Sequence, residues 1–241
     1  MKAAFVALTF LSAVVATAAP RPDFNVKDTR VIAYDYATCV VKRRAAQARE
    51  VILANHDNGV ILKRYPALAN GDCLVKATSA KSFSDVEMKF TGDFIRYGLA
   101  DALFAAELAA VPPRDLRDVA QLEHAVVDES AYRPEPGKKV SKRRAEELER
   151  ARGIAASSAA LSRFGECVVR LDSRNSHALL AAKPSTSEET RAFAGLQTAF
   201  STCLSEGQTF KTNRMTMRGT IAINDYRLTF APPATKAETT N

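Results

Sequence analysis

The apolar positions of this chain fall into one pattern that is written twice. In the second copy Leu161, Phe164, Cys167, Val168 and Leu171 recur three and four residues apart, which predicts a helix with one apolar face. Polar Ser173 to Asn175 breaks that helix. A short apolar turn follows at Leu179 and Leu180 and ends by Pro184, since proline cannot continue a helix. Ser185, Thr186 and Ser187 then stand ahead of Glu188 and Glu189 as overlapping capping boxes. Phe193, Leu196, Phe200 and Cys203 form the inward stripe of the third helix they open. Met217, Ile221 and Leu228 predict a closing helix.

The first copy keeps the order. Tyr36, Cys39 and Val40 correspond to Phe164, Cys167 and Val168 at a constant offset of 128 (164−36), and Val51 and Ile52 to Leu179 and Leu180. Ile61, Tyr65 and Leu68 lead to Cys73, and Ile95, Leu99, Ala102 and Leu103 mark the closing helix. Between Cys73 and Arg96, Val86, Met88 and Phe90 alternate with charged residues. That alternation predicts a short half-buried strand, paired with 74–78 as a hairpin.

The fold class that follows is mainly α: two tandem, internally homologous small helical domains, with a short hairpin in the first. The repeat units span 31–110 and 155–230, joined by 111–154. In the join, Pro112-Pro113 stops the first unit and Leu116, Val119 and Leu122 predict one amphipathic helix. Residues 133–137 (Arg-Pro-Glu-Pro-Gly) are turn chemistry, and a charged helix follows. The tail, 231–241, carries no apolar stripe and is expected to be disordered.

Residues 1–18 read as a signal peptide: Lys2, an apolar run from Ala3 to Val15, then small residues ending at Ala18. The run is shorter than the ~20 residues a spanning helix needs, so the mature chain is expected to have no transmembrane segment and to be periplasmic or secreted. The net charge of +7 bears on partners and solubility, not on fold. Four cysteines in an exported chain are expected to oxidise. The repeat favours Cys39 with Cys73 and Cys167 with Cys203, each bridge tying the first helix of a unit to the third. Their spacing suits neither a zinc site nor a redox pair. No cofactor or metal is expected.

Little else points to chemistry. His56 lies in a polar turn, His124 in the joining region, and His177 at a helix start where the other copy has Arg49. Nucleophile-elbow and phosphate-loop motifs do not occur. Three anion-binding candidates remain. Arg96 and Arg218 lead matching segments, Arg96-Tyr97-Gly98-Leu99-Ala100 and Arg218-Gly219-Thr220-Ile221-Ala222, and are either a paired anion site or stems laid over the core. Lys138, Lys139, Lys142, Arg143 and Arg144 form a basic cluster that runs into Glu146, Glu147 and Glu149. It is either an electrostatic dock for anionic polymer or a solvated helix surface.

On Cys-Val-Val-(Lys/Arg), Cys-Leu and Arg-x-x-(Leu/Ile)-Ala, the arrangement resembles exported bacterial proteins built from a duplicated, cysteine-paired helical unit. The resemblance implies helical architecture and export, and brings no activity or ligand with it. The leading expectation is a non-catalytic exported module that binds an envelope protein or anionic polymer through a surface between its units. The alternatives are an envelope hydrolase or other enzyme with a cleft between the units, and an electrostatic binder of anionic envelope polymer or nucleic acid acting through the basic join.

Overall fold

The repeat reaches down to backbone dihedrals. In the computed structural model, which describes residues 26–79, 93–134, 139–204 and 212–233, helix α1 (Val26–Leu53) is broken at Arg44, with φ −141° and ψ 38°. In the second copy the long helix α5 (Lys142–Leu171) ends at Asp172, with φ −141° and ψ 70°, and α6 (Ser173–Ala181) begins there. Residues 44 and 172 are 128 apart (172−44), so both units share a helix–break–helix entry. Asp172 stabilises the restart by accepting the Asn175 N–H.

The third predicted helix is divided in each copy. Unit 1 has α2 (Asn58–Arg64), a 3₁₀ turn opened by Pro66, and α3 (Gly71–Ser79). Unit 2 has α7 (Ser187–Gly195) and α8 (Gln197–Cys203). Asp57 and Thr186 cap α2 and α7 by accepting the N–H groups of Val60 and Glu189. The closing helices are α4 (Phe94–Glu107) and α9 (Arg214–Phe230). The fold is thus mainly helical, with no strand among the described residues.

Three expectations are corrected. Residues 74–78 lie within α3, not in a hairpin: Cys73 and Ala77, one turn apart, face the core there. The other proposed strand, Val86 to Phe90, lies outside the described residues, as do residues 1–18, most of the tail and Lys138. The charged helix of the join is not separate from unit 2, because α5 runs unbroken from Lys142 to Leu171. Leu116, Val119 and Leu122 form no helix. The carbonyls of Leu116, Val119 and Ala120, which a helix would use internally, instead accept hydrogen bonds from the Arg170 guanidinium at 2.8–2.9 Å. The segment 112–128 is a strap laid across α5.

Both bridges form as paired from the repeat, with Cα–Cα distances of 5.6 Å for Cys39–Cys73 and 5.8 Å for Cys167–Cys203. The two units bury one continuous core, running from Ile32 through Phe104 and Phe164 to Leu228. Its centre is the crossing of α4 and α9. There Tyr97 lies against Gly219, and a Cβ built on Gly219 would sit 2.2 Å from that of Tyr97. These are equivalent positions (219−97 = 122, as 218−96 = 122). Away from the crossing the contacts are reciprocal. Arg49 donates to the Tyr226 hydroxyl, while His177, the counterpart of Arg49, packs edge-on against Phe104, the counterpart of Tyr226. Contacts of i with j′ and of j with i′ are those of an approximate two-fold axis.

Candidate functional site

Arg218 is a packing residue. It is 3 % exposed, and its five N–H donors are taken by Asp101 (2.7 and 2.8 Å), the carbonyls of Leu179 and Leu180, and Glu189. Burial opposes its charge, but the Asp101 and Glu189 carboxylates outweigh that and hold its pKa above the ordinary value. Arg30 binds Glu189 from the other side, which closes a buried cluster of two arginines and two acids across the units. Arg96 holds its own helix start through Asp93 at 2.9 Å, and it also donates to the side chain of Asn55, a residue at φ 53° that ends α1. Neither arginine offers the paired anion site that the matching segments suggest.

The basic cluster is a solvated helix surface. Ser141 caps α5, and Arg143 and Arg144 both reach Glu147 from exposed positions. Lys139 and Lys142 are exposed beside them. Arg96, Arg218 and this cluster occupy three separate settings.

The arrangement with chemistry in it was not singled out by sequence. Ser162, Glu166 and Arg170 are spaced by four, so they form a stripe along one face of α5. The strap lies over this stripe and inserts His124 between its first two members. His124 Nδ1 is 2.8 Å from Ser162 Oγ, and Nε2 is 2.5 Å from Glu166 Oε2. With Glu166 accepting from Nε2–H, Nδ1 is the free acceptor for the serine hydroxyl. Glu166 also accepts from the Leu122 N–H at 3.1 Å and from Arg170 at 2.7 Å. Burial raises its pKa, but the bonds from His124, Leu122 and Arg170 outweigh it and hold the carboxyl below the usual range. Both His124 and Glu166 have side chains less than a tenth exposed.

A cleft of about 640 Å³ opens beside this relay, between the strap and α5. Arg117, Gln121, His124, Arg163, Glu166 and Arg170 line its polar side. Three arginines and one carboxylate thus line it. Arg117 is paired with Asp115, and Arg170 with Glu166 and the strap carbonyls. Arg163 has no ionic partner among the described residues. The volume falls in the range of small-molecule sites.

The described residues of unit 1 hold nothing comparable. At the repeat offset, Tyr34, Thr38 and Lys42 stand where unit 2 has Ser162, Glu166 and Arg170. A second hollow of about 690 Å³ lies between the units, floored by Phe94, Tyr97, Leu161 and Met215. Both helix starts that border it emerge from segments outside the described residues. No group of His, Cys, Asp and Glu among the described residues is placed to hold a metal ion.

Comparison with protein-family profiles, curated proteins and solved structures gives no match. The site therefore stands on its geometry alone. Two disulfides are formed, and no described helix is long and apolar enough to cross a membrane.

Proposed function

We propose that this chain is an exported binding module whose ligand is a small anion, or the anionic end of a larger molecule, held in the cleft between strap and α5. One observation carries the reading: Arg163 lines a ligand-sized cleft beside Arg117 and Arg170, with no acidic partner among the described residues. Guanidinium groups bind carboxylate and phosphate through charge-assisted, often bidentate bonds. The apparent signal peptide and the two bridges support an exported location.

Titration calorimetry with inorganic phosphate at low and high salt tests this. A charge-assisted hydrogen bond contributes about 1.5–3 kcal/mol, so Arg163→Ala is expected to weaken phosphate binding by about tenfold or more while leaving the melting temperature unchanged. Equal affinity in the wild type and the variant, or no saturable binding at low salt, overturns the reading.

A further inference from the structure

The relay beside the cleft does more than pin the strap. A strap needs anchors, and it has them without the histidine: Arg170 takes three strap carbonyls within 2.9 Å, Glu166 takes the Leu122 N–H, and Arg227 takes the Glu123 carbonyl at 2.9 Å. The connection carboxylate–imidazole–hydroxyl, with the carboxylate itself oriented by a backbone N–H and a guanidinium, is that of an activated nucleophile. Ser162 is partly exposed. It stands one residue before Arg163 and one turn before Glu166, and both of those line the cleft.

We propose that Ser162, His124 and Glu166 form a hydrolytic site for acyl esters that carry a carboxylate or phosphate group, with Ser162 as nucleophile, His124 as base and Glu166 as its orienting carboxylate. The proposal rests on the anion-binding reading for its substrate class, since Arg163 holds the charged end. Ser162 Oγ attacks the ester carbonyl carbon as its proton passes to His124 Nδ1. The bond from carbonyl carbon to alkoxy oxygen breaks, and the alcohol departs with that proton. Water then attacks the acyl-serine and gives a proton to Nδ1. The bond from the acyl carbon to Oγ breaks, Oγ recovers the proton, and the acid is released. Water and ester are consumed, and acid and alcohol are formed. Gln121, in the same cleft, is a side-chain donor available to the carbonyl oxygen as it gains charge. Glu166 stays ionised throughout, held by the Leu122 N–H and the Arg170 guanidinium.

The test uses the full mature chain, a fluorophosphonate probe and two chromogenic esters, neutral p-nitrophenyl acetate and the anionic p-nitrophenyl monoester of succinate. The probe is expected on Ser162 by peptide mapping, and lost in Ser162→Ala and His124→Gln. Ester turnover should fall by about a hundredfold or more in both variants, with thermal melts and disulfide maps confirming that each is folded. The anionic ester should be preferred by about tenfold, one charge-assisted contact, and Arg163→Ala should abolish that preference. Absence of probe from Ser162, or turnover unchanged in Ser162→Ala, overturns the hydrolytic site, and phosphate binding measured in parallel then shows whether the anion reading survives. Labelled, active protein that neither prefers the anionic ester nor binds phosphate keeps the nucleophile but overturns the substrate class.

Discussion

Asp225 offers the sharpest test of the fold. Its side chain sits on α9 in a small internal cavity with His177, Arg114 and the apolar groups of Phe104 and Leu116. It has no charged partner there: Arg114 is turned to the Thr229 carbonyl and His177 to the Leu108 carbonyl. Burial alone pushes its pKa from 3.8 to about 7. A group whose pKa is raised by folding binds its proton more tightly in the native state. Stability is therefore highest below the unfolded pKa and is lost as pH rises from there towards the folded value. Each pH unit of that interval corresponds to 1.36 kcal/mol, so the ionised carboxylate costs about 4 kcal/mol once pH exceeds about 7. Asp225→Asn keeps the shape of the protonated acid and removes the titration. Urea unfolding of both proteins at about pH 4 and about pH 8.5 should give nearly equal stabilities at the lower value and a more stable variant, by up to about 4 kcal/mol, at the higher. His177 and Arg114 are common to both proteins and cancel in the difference. A variant effect of the same size at both pH values would refute the reasoning, because it would mean that Asp225 ionises as freely folded as unfolded.

The α4–α9 crossing predicts that Gly219→Ala destabilises by about 1–3 kcal/mol or more, because the added methyl meets the stem of Tyr97 and not the tip of a flexible chain. Gly153→Ala, on an open part of α5, should be neutral or stabilising by up to about 1 kcal/mol; thermal melts of the two variants decide, and equal shifts would sink the close-approach argument. Arg218→Met should cost about 3–5 kcal/mol in urea unfolding, since it strands Asp101 in the core while Glu189 keeps Arg30; a near-neutral effect would show that Asp101 is already solvated. Opening either bridge by paired Cys→Ser substitution should cost about 4 kcal/mol on loop closure over 34 and 36 residues. Non-reducing peptide maps that join Cys39 to a cysteine of the other half would contradict the pairing.

The elements legible in the sequence were those set by local periodicity and by duplication. Offset 128 places Cys39 with Cys167 and Val51 with Leu179 because both copies bury the same face, and the bridges follow from that. Capping at Thr186 was legible for the same reason: a hydroxyl acts on a backbone N–H three residues away. The strap was not. Leu116, Val119 and Leu122 carry helical spacing, but their conformation is decided by Arg170, some fifty residues on, whose donors claim carbonyls that a helix would have used. The catalytic candidates were hidden similarly, since His124 and Glu166 are 42 residues apart and nothing local joins them. One signal was present. Ser162 and Glu166 are polar positions that the first copy does not keep, with Tyr34 and Thr38 in their place, on a helix whose packing positions it does keep. Arg96 and Arg218 misled for the opposite reason, because a matched charge inside a matched apolar segment marks shared architecture before shared chemistry.

The meeting of Tyr97 with Gly219 also makes the two halves unlike where they touch. Two identical halves brought together across the same axis would set a ring against a ring, which collides, or a bare backbone against a bare backbone, which leaves a gap. Only unlike copies fill the space, one supplying bulk and the other yielding it. Neither half can therefore be exchanged for a second copy of the other without a collision or a void at this crossing.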